Sequence, residues 1–546
     1  MRHLIWNFES EPILFASNIS RVALHQLNIE NGSKYRPKIN VWRNHAIEPV
    51  LNLTYPYMKY AGFNAQFSVS DYDDSFSFSA YESADVEILW FDPTNYTRID
   101  ELAKWSWISE RLSRLRQLTN KPILLISWYE GVGETDIGSV LKMPWDSYFI
   151  NLSELCGIES ASLLEKRAKQ ISGTLLSSKT HCKIAQSLGS RWLPAALGFN
   201  IRAVLVDLDN TLHEGIVVED GLAGLKITAG HQRLHESLIA LKNKGLFLCL
   251  VSRNELADVE RVFEKNVDYR LKLSDFSVVE ASWDTKSSAI SRIVKKLNLG
   301  LESVLFIDDN SGELIEVAKS LEAVSLIHAK HDPEITRASL ENFPGIWRFS
   351  YFAEDFKRIS DWSANNERKR ILDTGLSERE YMDELEVRIA FALDKIDDAE
   401  RLGSLSQKTN QFNLSYSRFQ VTDIKRIIKA NDTTVISVNL SDRLSDSGII
   451  GLIVANIDEK TCKIKELCLS CRAMGRGLED LIIFGALKQM PGIAFCDSLE
   501  FLVERKERNS PAVAWLEKFI GKGVPMQQGI VTICISKLEL FNETER

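Results

Sequence analysis

The sequence predicts an α/β protein in which a doubly wound parallel-sheet core is flanked by an N-terminal α/β domain and a C-terminal α+β domain. Three observations predict it. A chain of 546 residues exceeds one ordinary core and divides into about three domains of ~150–200 residues. Through the middle of the chain, short β-branched apolar runs alternate with helical stretches, the rhythm of βαβ units. In the last third, strand-like runs follow one another with few helices between them, as in α+β folds.

The first domain is expected over residues 1–195. Its apolar runs at 12–16, 86–91 and 122–127 read as buried parallel strands, with a helix over 99–118 between the last two. Pro194 is expected to break a helix and so to mark the boundary. The second domain, 196–350, opens with the run 201–206 and continues with strands at 247–251, 269–273 and 304–307, so its ligands should bind at the carboxyl ends of these strands. The third, 351–546, begins where the chain becomes charged and aromatic. Strands are expected near 387–392, 434–439, 449–455, 463–469 and 531–535, and a helix starting near Gly477.

Composition excludes several classes. Hydrophobic residues make up 45% and charged residues 26%, which suits a soluble globular chain. Lys and Arg number 66 against 75 Asp and Glu, a net charge of −9, which argues against a broad nucleic-acid-binding surface. No long uncharged apolar run occurs, and Arg2 is followed by Glu9 and Glu11 rather than by a secretory apolar core, so a cytoplasmic protein without membrane spans is expected. Eight scattered cysteines point to reduced thiols rather than a disulfide framework.

Chemistry concentrates after the run 201–206, where Asp207-Leu208-Asp209-Asn210-Thr211 begins. Strand alternation puts Asp207 and Asp209 on one side, and two carboxylates this close need a cation or a shared proton. Mg²⁺ would serve, binding carboxylate and carbonyl oxygens while keeping positions for water and phosphate. This D-x-D-x-T pattern resembles the first motif of the haloacid dehalogenase (HAD) superfamily of phosphoryl-transfer enzymes. Ser252 at a strand end, Lys286 in Trp283-Asp284-Thr285-Lys286, and Asp308-Asp309 in Phe306-Ile307-Asp308-Asp309-Asn310 suit its later motifs in order. The resemblance implies that Asp207 is the nucleophile and Asp209 the general acid and base. Ser252 and Lys286 would hold the phosphoryl oxygens, and Asp207, Asp308, Asp309 and the carbonyl of Asp209 would bind Mg²⁺. Little chain separates these motifs, so no large cap fits and the site should be open.

A narrower resemblance rests on DLDNTLHEGIVVEDG (207–221), VSRNE (251–255), FIDDN (306–310), LSQKTNQFNLS (405–415) and LSCRAMGRGLE (469–479). Together these look like the FkbH-like family of HAD proteins from polyketide pathways. That family implies an acyl phosphate donor, 1,3-bisphosphoglycerate, and an acyl carrier protein whose phosphopantetheine thiol receives the glyceryl unit. Two departures stand out. Val251 occupies the place of the family's acyl-holding cysteine, and His213-Glu214-Gly215 stands where Trp-Gly-Gly is common. Cys249 lies two residues short of Val251 and reads as a core residue. Direct transfer to a carrier or coenzyme A thiol, a different acyl phosphate, a phosphatase without transfer, and a carrier-binding scaffold without catalysis all stay open.

Arg472-Ala473-Met474-Gly475-Arg476-Gly477 resembles the R-x-x-G-x-G loop of GNAT-type acetyltransferases, which implies cofactor or carrier binding through Arg472, Gly475, Arg476 and Gly477. Arg472 and Arg476 are also expected to form a basic patch facing an acidic carrier. Gln407, Lys408, Asn410, Gln411 and Asn413 form a polar run that could face substrate, and Cys468 and Cys471 an isolated C-x-x-C pair with no metal partners. Ser17-Asn18 resembles the opening serine of SGNH-type hydrolases, but no Asp-x-x-His companion precedes residue 195. His181 stands alone, so the first domain reads as a degenerate SGNH-like docking unit.

Overall fold

A parallel strand covered on both faces must be apolar along its whole length, and the central strands satisfy this residue by residue. In the computed structural model, which describes residues 8–538 apart from 28, 30–32, 80, 130–136, 156–159, 352, 373–377, 431, 471, 475, 507–508 and 521–527, the chain forms two compact units, 1–351 and 352–546.

The first unit contains two five-stranded sheets. One comprises β1 (Lys38–Arg43), β2 (Gln66–Tyr72), β3 (Val86–Trp90), β4 (Ile123–Ser127) and β5 (Ser147–Asn151), in the order β2-β1-β3-β4-β5. The other comprises β6 (Ala203–Val206), β7 (Phe247–Ser252), β8 (Val278–Ala281), β9 (Val304–Asp308) and β10 (Ser325–His328), in the order β10-β9-β6-β7-β8. Every pairing in both sheets is parallel. All residues of β6, β7 and β9 are buried, and the helices Ala229–Asn243 and Lys286–Leu297 connect strands of this sheet. Strand order reverses between β6 and β9, so a crevice is expected beyond their carboxyl ends.

Three sequence expectations are corrected. The run 12–16 is not a strand: Glu11–Leu14 is a short helix with Pro12 in its first turn, where a missing N–H costs nothing. Segment 269–273 forms no strand, and the edge strand is β8, further along the chain. Pro194 does not interrupt its helix. The helix Ser178–Ser187 runs through a π-helical turn, Leu188–Trp192, into Leu193–Ala196, and Pro194 sits directly after the widened turn.

The second unit is built on β11 (Arg388–Leu393), β12 (Phe412–Asn413), β13 (Thr434–Ser441), β14 (Asp446–Asp458), β15 (Thr461–Leu469), β16 (Ser498–Glu504) and β17 (Gln528–Cys534). The sheet runs β11-β13-β14-β15-β16-β17, with β12 added to the end of β15. All its pairings are antiparallel except β15 with β16, which are paired only over Thr461–Ile464; the far end of β15 pairs with β12 instead. The helices Ser510–Ile520 and Glu479–Lys488 bury Trp515, Leu516, Ile482 and Ile483 in its core.

Candidate active site

The crevice beyond β6 and β9 is where the acidic residues converge. Asp207 follows β6 directly and its N–H donates to the Ile307 carbonyl on β9 (2.9 Å), which fixes it at the reversal of strand order. Asp308 ends β9; its Oδ1 accepts from the Asn310 N–H (2.8 Å), while its Oδ2 is buried without a hydrogen bond. Asp309 is half-buried, and its carbonyl accepts from His328 Nε2 at the end of β10 (2.7 Å).

Lys286 opens the helix Lys286–Leu297, whose Thr285 cap accepts from the Ser288 N–H. That placement sends a buried ammonium inward. Its Nζ bonds Asp207 Oδ1, donates to the Val251 carbonyl (2.8 Å) and lies 3.3 Å from Asp308 Oδ2. Burial alone would lower its pKa, but the Asp207 and Asp308 charges outweigh burial and raise it. Ser252, the last residue of β7, is buried; Asn254 Nδ2 donates both to its Oγ (2.9 Å) and to Asp209 Oδ2 (2.7 Å).

One carboxylate oxygen from each of Asp207, Asp308 and Asp309 lies within 4.8 Å of the other two. Burial pushes Asp308 up to about 7 and Asp309 up to about 6, with the Asp207 charge adding to both. Asp207 is raised too, because burial outweighs Lys286. Three crowded carboxylates that resist ionisation form an all-oxygen donor set suited to a hard divalent cation. Mg²⁺ therefore fits Asp207, Asp308 and Asp309.

Asp209 is turned elsewhere. Its Oδ1 accepts from the Val217 N–H (3.0 Å) and faces His213 Nε2 at 3.3 Å, and its Oδ2 is held by Asn254. Burial would raise its pKa, but these three donors outweigh burial and hold the carboxyl below the ordinary range. The side chain is thus outside the metal trio, and Asp209 would join the metal only through its carbonyl. Sequence reasoning missed Asn254 and His213. Asn254 repeats the two-residue offset of Asp207 and Asp209 at a neighbouring strand end, a signal that was there to read. His213 stood out only as a departure from the family pattern; its position four residues after Asp209 was the signal for the contact, whereas its second partner, Tyr269, is 56 residues away.

Other sequence-marked groups fall outside this site. Cys249 is fully buried in β7 with its thiol pushed up to about 12. Ser17 follows a helix rather than a strand and is exposed, so it lacks the setting of an SGNH serine; His181 is buried, which pushes it down to about 4.

In the second unit the expected basic patch is corrected: Arg472 and Arg476 are buried and paired within their own unit. Arg472 Nη1 lies 3.6 Å from Asp361 Oδ2, and Arg476 lies 3.8 Å from Asp361 Oδ1 and 3.3 Å from Asp442 Oδ2. Arg368 grips Asp442 through Nε and Nη2 at 2.8 and 2.9 Å. Burial, with Arg368 nearby, pushes Arg476 down to about 10. Gly477 adopts φ +72° with open space at its Cβ position, just before the helix Glu479–Lys488. Gly475 and Cys471 lie outside the described residues. Only the end of the polar run 407–413 is turned inward: Asn413 is buried in β12 and, with Ser406, donates to the buried Glu466 carboxylate, whereas Gln407 and Lys408 are exposed, and Gln407 and Asn410 bond Arg418.

No family model matches the chain, and no curated protein matches it. Among solved structures, the N-terminal part of the protein BF1531 from Bacteroides fragilis, which contains a phosphatase domain and was crystallised with Mg, is similar over 62% of this chain and 99% of its own, at 18% identity and a TM-score of 0.44. The PaiA N-acetyltransferase of Thermoplasma acidophilum, crystallised with coenzyme A, is similar over 27% of this chain and 99% of its own, at 16% identity and a TM-score of 0.21. A mutant of the spermidine N-acetyltransferase SpeG of Vibrio cholerae is similar over 28% of this chain and 97% of its own, at 14% identity and a TM-score of 0.21.

Proposed function

We propose that this chain is a Mg²⁺-dependent, HAD-type phosphoryl-transfer enzyme acting in the cytoplasm on a small acyl phosphate, with 1,3-bisphosphoglycerate as the donor the FkbH-like resemblance implies. One observation supports this above the others: the Asp207, Asp308 and Asp309 oxygens meet the Lys286 ammonium at the point where strand order reverses. When bound, Mg²⁺ would screen these carboxylates and draw charge from the phosphoryl oxygens. Lys286 and Ser252 hold those oxygens while Asp207 attacks phosphorus. The new O–P bond forms as the bond from phosphorus to the acyl oxygen breaks, and the carboxylate leaves with the electron pair. Such a leaving group needs no proton. This suits Asp209, whose three N–H donors favour its anion; it then takes a proton from the water that releases phosphate from Asp207.

Acyl transfer breaks a different bond. A thiolate attacks the carbonyl carbon, the carbon–oxygen bond breaks, and phosphate leaves. Among the described residues the cysteine nearest in sequence to the motif, Cys249, is buried and protonated, so the acceptor would be external, the thiol of a carrier protein's phosphopantetheine arm or of coenzyme A. The observation favouring this second reading is Gly477, which takes φ +72° with open space at its Cβ position just before the helix Glu479–Lys488.

Both readings meet in one experiment. Purified protein given an acyl phosphate should release phosphate only with Mg²⁺, and Asp207→Asn should lower the rate by about a thousandfold or more while leaving the fold intact. Release at the parent rate would refute the site assignment. Added acyl mass on a carrier protein or coenzyme A separates transferase from phosphatase. No release from any acyl phosphate tested would favour a scaffold.

A further inference from the structure

His213-Glu214-Gly215, where the chain leaves the family pattern, puts an imidazole behind Asp209. His213 is fully buried; its Nε2 lies 3.3 Å from Asp209 Oδ1 and its Nδ1 hydrogen-bonds the Tyr269 hydroxyl. A carboxylate only accepts, so the proton sits on Nε2 and Nδ1 receives the tyrosine O–H. Tyr269 is fixed in turn. Its ring stacks on His235 (4.9 Å, 21°) and meets the edge of Phe263 (5.0 Å, 65°), and His235 Nε2 donates to the Leu212 carbonyl (2.8 Å). The Nε2–H is not aligned as a full hydrogen bond, which is common for catalytic contacts in resting sites.

Oδ1 of Asp209 has two lone pairs, one taken by the Val217 N–H and one facing His213, whereas Oδ2 has one taken by Asn254 and one left over. We propose that His213, backed by Tyr269, is a positioning residue that occupies the remaining side of Oδ1 of Asp209 and so leaves Oδ2 as the oxygen that exchanges protons with the attacking water.

The inference rests on the phosphoryl-transfer reading for its role in turnover, but the coupling of the two side chains can be measured without it. In metal-free protein labelled with ¹⁵N-histidine, His213→Asn identifies the His213 signals. They should report a ring that carries a proton on Nε2, and both Asp209→Asn and Tyr269→Phe should shift them. A ring protonated on Nδ1 alone, or signals unmoved by Asp209→Asn, would overturn the proposal. In turnover of acetyl phosphate with Mg²⁺, His213→Phe should lower kcat about tenfold or more with KM little changed, and His213→Gln, which keeps an N–H donor, should recover most of that loss. Equal kcat in His213→Phe and the parent, or no recovery in His213→Gln, would count against it. Intact coupling by NMR with no phosphate release from the parent protein would instead overturn the phosphoryl-transfer reading.

Discussion

Asp308 and Asp309 keep their protons into a range where ordinary carboxyls have lost them, because burial and the Asp207 charge disfavour their anions. Metal binding needs those anions. Mg²⁺ must therefore displace protons, and its affinity should rise as pH increases from 5 to 8, through the values of about 6 and about 7 held by Asp309 and Asp308. Titration calorimetry in buffers of different ionisation enthalpy should detect proton release near pH 6.5, and a pH-independent affinity would show that the trio is not the ligand set. Asp207, Ser252, Lys286, Asp308 and Asp309 were legible in the sequence because all but Lys286 end or directly follow a β-branched apolar run, and their order along the chain is fixed. Arg472 and Arg476 were misread because their partners Asp361 and Asp442 are distant in sequence, and a guanidinium looks the same on paper whether it faces solvent or a buried carboxylate.

At the scale of elements, β6, β7 and β9 could be read directly, since strands buried on both faces are continuous apolar runs. The same rule misled at 12–16, because a short apolar run does not distinguish a strand from a buried helical turn. Pro194 misled for another reason: the preceding π-helical turn, which local sequence does not announce, absorbs it. That turn also packs closely on the helix Glu48–Tyr60. A Cβ on Gly189 would sit 2.6 Å from Tyr57 Cβ and 3.1 Å from the Thr54 carbonyl, so Gly189→Ala must push two helices apart. It should cost about 1–3 kcal/mol in urea denaturation, as overpacking does. Unchanged stability would mean that the helices separate freely.

For the whole molecule, two compact units carry two kinds of sheet, and ligands of one need not stabilise the other. Calorimetry should resolve more than one unfolding transition, and Mg²⁺ should raise the midpoint of that belonging to residues 1–351 alone, by mass action on its folded state. A single transition shifted as a whole would contradict this. The net charge of −9 takes a different meaning once Arg472 and Arg476 are seen to be buried. A carrier protein would have to meet some other surface, and coenzyme A becomes the simpler acceptor to test first. The central claim, that Asp207 takes a phosphoryl group, is tested most directly by acid-quenching the protein during turnover of ³²P-labelled acetyl phosphate with Mg²⁺, reducing with borohydride and mapping the modified peptide. Modification at Asp207, absent from Asp207→Asn, is the predicted result; phosphate release with no modified aspartate, or with modification unchanged in Asp207→Asn, would contradict it.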